Sequence, residues 1–175
     1  AYIHLEPLSE LKLIVKYVGD GNNYFVNSVQ DTIIEDNATL THIQIEADST
    51  EAWHFSKNRV FLKRDSKYLG YQASNGTRLV RNHNEIWLNE PGAEMELNGV
   101  SVLENDEQSH QFIRVHHEVE NCVSHQYVKN IINDYEKYKD TKSPKLIPKE
   151  SPKKESPRMK KRIKSMDDFT KFQWS

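Results

Sequence analysis

The feature that most constrains this chain is a hydrophobic period of two. Through residues 1–138 of the 175, apolar and polar side chains alternate in short runs, with Asn, Asp or Gly between one run and the next. In LKLIVKYV, Leu11, Leu13, Val15 and Tyr17 alternate, and the turn GDGNN follows. YFVNSVQ, TIIEDNATLTHIQIEA, WHFSKNRVFLKRD, KYLGYQAS, TRLVRNHNEIWLNE, AEMELNGVSVL and HQFIRVHH continue the series. Successive side chains of a strand point to opposite faces, so such runs read as half-buried strands. Many short strands at close intervals predict an all-β sandwich, barrel or β-solenoid. The alternation sets Leu13, Val15, Ile43, Ile45, Leu88 and Leu97 inward and gives the solvated face to Lys, Glu, Asn and Gln.

An internal echo favours the solenoid. Asp36-Asn37-Ala38-Thr39-Leu40 and Pro91-Gly92-Ala93-Glu94-Met95 share a turn residue, an alanine, a polar residue and a large apolar one. Solenoids repeat small residues at equivalent corners, where neighbouring coils stack. One stretch reads as helix: SHQYVKNIINDYEKY, residues 124–138, with Ser124 as cap and Val128, Ile131, Ile132 and Tyr135 on one side.

The net charge of −2 conceals two opposite parts. Residues 1–138 carry 12 Lys+Arg against 21 Asp+Glu, a net of −9, whereas residues 139–175 carry 12 against 5, a net of +7. Pro144, Pro148, Pro152 and Pro157 punctuate the basic part, whose apolar residues are isolated. It is expected to be a mostly disordered tail, with a helical turn near residues 159–166, and the domain boundary is set at Tyr138. The tail lacks the interleaved aromatics that stack on bases, so a nucleic-acid partner is not expected. No run reaches the roughly 18 apolar residues of a membrane span, and the N-terminus has no apolar signal block. The single cysteine, Cys122, excludes an intramolecular disulfide and fits a reducing compartment. A soluble cytoplasmic protein with no membrane partner is the expectation.

Chemistry-bearing residues crowd one place. His110, His116, His117, Cys122 and His125 fall within sixteen residues, and imidazole and thiolate are the usual ligands of zinc, copper and iron–sulfur clusters. Their spacing fits no standard zinc module, and on a strand His116 and His117 face opposite ways. A second reading of this cluster is a small metal-dependent β-barrel enzyme of cupin type. Glu94 and Glu96 have the look of a carboxylate pair, but alternate carboxylates also suit a solvated strand face. No phosphate loop, nucleophile elbow or HExxH is present.

The order of motifs resembles the core of the SufB/SufD family, scaffold proteins of the Suf iron–sulfur cluster assembly system, and is closer to SufD. The most specific parts are R-N-x-x-E-x-x-L-N-E-x-G-A-E-x-x-L-N-G from Arg81 to Gly99 and H-x(4)-C-x-S-x-Q from His117 to Gln126. The resemblance implies a right-handed parallel β-helix and a scaffold rather than an enzyme. It implies a SufB-like partner and, in full-length relatives, a SufC-like ATPase docked through flanking helices. Its cargo is iron or a nascent iron–sulfur cluster, met transiently at the partner interface. By its distance to the C-x-S-x-Q block, His117 matches a histidine near that interface and is the candidate metal and cofactor contact. Cys122 is the second candidate. Relatives are longer, so this chain is expected to be a truncated core with an open end that associates.

Overall fold

The fold is seen in a computed structural model that describes residues 1–133 except Asp20 and Asn22. Residues 134–175 lie outside the described residues, and with them the basic tail, the helical turn near 159–166 and the last part of the expected helix. Ten strands follow in order: β1 (Tyr2–Leu5), β2 (Glu10–Val18), β3 (Phe25–Ile34), β4 (Thr39–Ala47), β5 (Trp53–Leu62), β6 (Lys67–Asn75), β7 (Leu79–Leu88), β8 (Glu94–Glu104), β9 (Gln108–His117) and β10 (Val123–Asn133). The odd strands form one five-stranded sheet, β1-β3-β5-β7-β9, and the even strands the other, β10-β8-β6-β4-β2. Every pairing is parallel. Each coil therefore contributes one strand to each sheet, and the chain climbs as a parallel β-solenoid, as expected.

Coils stack in register, so each residue belongs to a column. Thr39 lies beside Lys67, Lys67 beside Glu94 and Glu94 beside Val123, a repeat of 27 to 29 residues. The corner between odd and even strands is the most regular column set. Leu8, Asn37, Asp65, Gly92 and Asn121 all take positive φ there, between 51° and 78°. The next position is small: Ser9, Ala38, Ser66, Ala93, and at the last coil Cys122. Ala38, Ser66 and Ala93 are wholly buried, because the next coil lies directly on them. Backbone hydrogen bonds link corner to corner, Asn37 N–H to Arg64 O, Asp65 N–H to Pro91 O and Gly92 N–H to Asn121 O. The echo read in the sequence is this corner two coils apart. Its middle copy, Arg64-Asp65-Ser66, hides behind Ser in place of Ala.

The interior has two halves. Beside that corner, Leu5, Ile34, Leu40, Leu62, Tyr68, Leu88, Met95 and Leu97 form the apolar core. Toward the opposite corner, the inward positions are Gln44, Glu46, His54, Ser56, Asn58, Gln72, Asn82 and Asn84, all buried. Leu88 and Leu97 are buried as expected, and Leu13 and Val15 face inward, half-buried. The expectation fails for Ile43 and Ile45. His42, Gln44 and Glu46 take the buried positions of β4, so the two isoleucines face outward. The alternation was real, but its phase was inverted because the polar residues had partners inside the solenoid. The solvated face is correspondingly less polar than expected.

The helix expected over residues 124–138 is also overturned across its described part. Residues 123–133 are β10, paired with β8 from Val123 beside Glu94 to Asn133 beside Glu104. The spacing of Val128, Ile131 and Ile132 is helical, but the free edge of β8 offers a backbone partner at every step, and β-branched residues suit a pleated surface.

Gly92 tests the corner architecture. Its φ is +78°, and a Cβ there would collide with the Asp65 carboxylate one coil below. Gly92→Ala is expected to lower stability by about 1 kcal/mol or more, from the left-handed conformation alone. Denaturant unfolding of the two proteins measures it, and an unchanged midpoint would reject this account of the corner.

Candidate functional site

The column Leu5, Ile34, Leu62, Leu88 is aliphatic, and its fifth member is His117. It sits at the end of β9, where no further coil covers it among the described residues, so an imidazole takes an inward position yet remains exposed. Its Nε2 lies 3.0 Å from the hydroxyl of Ser124, the inward residue at the start of β10. Cys122 lies between them on the corner. It is half-buried against the apolar core, and its thiol donates to the Glu90 carbonyl at 3.3 Å. Cys122 is thus the end of the small-residue column, and His117 is the end of the aliphatic one.

The other histidines of the sequence cluster are scattered by the fold. His116 faces outward, stacked on Trp87 with ring centroids 4.9 Å apart and planes 2° from parallel, and Trp87 stacks in turn on Phe61. His110 lies outside the first sheet beside Arg81, and His125 outside the second beside Glu96. Among the described residues no three of His, Cys, Asp and Glu come together in a way that could hold a metal ion. The cupin-type alternative therefore fails twice: the sheets are parallel throughout, and the His110–His125 cluster is not one in space. Glu94 and Glu96 do share an outer face, but Glu94 pairs with Lys67 at 2.7 Å and Glu96 accepts from Asn98 at 2.6 Å.

The polar interior was missed by the sequence reading. Glu46, His54 and Asp48 are all buried. Asp48 accepts from Tyr24 at 2.9 Å and holds His54 Nδ1 at 2.7 Å, while His54 Nε2 points toward Glu46 Oε1 at 3.7 Å. Glu46 also accepts from Gln44 at 2.6 Å and Asn82 at 3.1 Å. Asn58, Asn84 and Gln72 continue the network, with Asn58 donating to Gln44 and Asn84, and Gln72 and Asn84 exchanging two hydrogen bonds. Burial raises the Glu46 carboxyl above its ordinary range, an effect opposed by His54 and the Asn82 and Gln44 hydrogen bonds. The available signal was the recurrence of Gln, Asn and Ser at one parity of consecutive runs.

The fold is thus a parallel β-solenoid, with His117 and Cys122 together at the last described coil. The chain belongs to the SUF system FeS cluster assembly family, whose SufBD core domain matches residues 1–138. No match was found among curated proteins or among solved structures. The family places the protein in iron–sulfur cluster assembly by the Suf system. No helix of the described residues is long and apolar enough to cross a membrane. The motif from Arg81 to Gly99 is architectural: Asn82 holds Glu46, Glu90 pairs with Lys63 at 3.2 Å, Gly92 and Ala93 turn the corner, and Leu88 and Leu97 fill the core.

Two buried ionisable groups make stability depend on pH in opposite senses. Burial lowers His42 to about 4 from an ordinary 6.5, and its ring has only the Tyr68 hydroxyl at 3.3 Å for company. The unfolded chain binds this proton as pH falls below 6.5, whereas the native state resists until about 4, so stability is lost across that window. The loss is on the order of 3 kcal/mol, and His42→Asn is expected to flatten it in urea unfolding measured at several pH values. For Glu46 the native state binds the proton more tightly than the unfolded chain, so stability falls as pH rises from the ordinary carboxylate value through the raised one. Glu46→Gln is therefore expected to raise the melting temperature at pH 8 and to lose that advantage on acidification. A variant less stable than the parent at pH 8 would show the charge to be fully compensated.

Proposed function

We propose that the chain is a scaffold component of Suf-type iron–sulfur cluster assembly, nearer SufD than SufB, working in the cytoplasm by binding rather than turnover. Residues 1–138 act as the core, a SufB-like chain is the partner, and the ATP chemistry belongs to a separate SufC-like chain. Iron or the nascent cluster is cargo. The observation that carries this reading is His117: an aliphatic column four coils deep ends on an imidazole that no further coil covers among the described residues. One imidazole is one donor, so further donors come from the partner across the interface, with Cys122, the single thiol of the chain, as the second candidate on this side of it. Among the described residues the outer edges of β9 and β10 have no neighbouring strand, and such edges favour association with a partner over a free monomer.

The test is reconstitution of the chain with a SufB-like and a SufC-like protein from the same cell, read by the charge-transfer absorption of the assembled cluster. His117→Ala is expected to reduce cluster yield by about tenfold or more without releasing the partner. His116→Ala, one residue away on the opposite face, is expected to leave yield unchanged. Equal losses accompanied by lowered melting temperatures would make the pair structural and remove His117 from the chemistry.

A further inference from the structure

The outer face of the even-strand sheet is apolar where a solvated sheet would be polar. In one row across the strands lie Ile14, Ile43, Tyr71 and Tyr127, with Asn98 between the tyrosines. The next row runs Lys16, Ile45, Ala73, Val100, Lys129. Ile14 and Tyr127 are each 60% exposed. Four steps between strands span about 19 Å and the length of β2 from Lys12 to Val18 about 20 Å. The face, its lysine edges and interspersed polar residues included, is thus on the order of 400 Å², within the range of the largest patches on monomers, which are often functional.

Charge placement narrows what fits. Lys12 and Lys16 stand on the β2 edge and Lys129 on the β10 edge, and among the described residues none has an acidic partner within 4.0 Å. Several other outer cations are paired, Arg59 with Asp31 at 2.5 Å and Lys57 with Glu85 at 3.2 Å on the odd-strand sheet, and Lys67 with Glu94 at 2.7 Å on the even-strand sheet. Both edges of the two apolar rows therefore carry lysines without an acidic partner, while the nearest acids of this face are Glu96 in the Lys12 row and Glu10 and Glu94 in the row before it. A second copy laid face to face would set lysines on lysines in either orientation. A helix with its side chains is about 10–12 Å across. Laid along the central strand β6, over Tyr71 and Ala73, it leaves on each side about 4 Å that a lysine side chain bridges. A length of about 20 Å corresponds to about 13 residues of helix.

We propose that this face docks an amphipathic helix of a partner chain, three to four turns long by that length (~13 residues), whose apolar stripe is flanked on both sides by acidic residues. The proposal stands apart from the role of His117, which lies at the end of the solenoid rather than on its side.

The test uses the whole chain and two fluorescein-labelled helical peptides of about 15 residues with the same leucine stripe, one flanked by glutamates and one by lysines. Fluorescence anisotropy is expected to show binding of the glutamate peptide, weakened by salt, and no binding of the lysine peptide. Ile43→Glu is expected to weaken binding by about tenfold or more with an unchanged circular dichroism spectrum. Should that variant not fold, the exchange Lys12→Glu with Lys129→Glu decides, and it is expected to reverse the preference between the peptides. Equal binding of both peptides, no binding of either, or affinity unmoved by these changes would overturn the proposal. So would sedimentation showing a dimer that Ile43→Glu dissolves, since a second copy would then own the face.

Discussion

Everything in this protein depends on in-register parallel stacking. A backbone ladder between coils fixes which side chain lies on which, and from then on each residue is judged against its column rather than its sequence neighbours. A column of Leu5, Ile34, Leu62 and Leu88 buries aliphatic surface continuously. A column of left-handed residues turns every coil at the same height. The ladder also makes errors expensive: a slip of one residue would exchange the inner and outer faces of an entire strand.

Stacking explains how polar groups can occupy half the interior. Asn and Gln repeated from coil to coil satisfy one another, as Asn58, Asn84 and Gln72 do. Removing such groups from water costs little once each donor has an acceptor. The charged members need more, and Glu46, His54 and Asp48 obtain it by lying together with Tyr24 and Asn82 as hydrogen-bond donors. With polar residues holding the inward parity of β4, the outward parity falls to Ile43 and Ile45. The apolar outer face is the counterpart of the polar interior.

The same logic separates architecture from function in the family motif. Between Arg81 and Gly99 nearly every motif residue whose place is visible serves a column, a corner or the interior network, so the fold itself accounts for the motif. The proposed site lies instead where columns end. His117 and Cys122 are such ends, one aliphatic and one of small residues, and both lie at the last described coil. Ser124 completes the group by its hydrogen bond to the imidazole. That bond links two inward positions on either side of the corner, a relation that seven residues of sequence separation do not announce.

The sequence by itself determined the strands, the solenoid corners, the core residues Leu88 and Leu97, and the opposite facing of His116 and His117. Those follow from the period of two and from turn chemistry, which are local. Tertiary structure alone decided which parity of β4 was buried, because Gln44 and Glu46 are costly inside until Asn58, Asn82 and Ser56 arrive from other strands. It alone made residues 123–133 a strand, because only the edge of β8 offers the hydrogen bonds that outweigh a helical spacing. It also turned His110, His116 and His125 away from His117 and Cys122, their neighbours along the chain. Nearness in sequence gives a strand's side chains alternating directions, and only the stacking of coils gives them common ground.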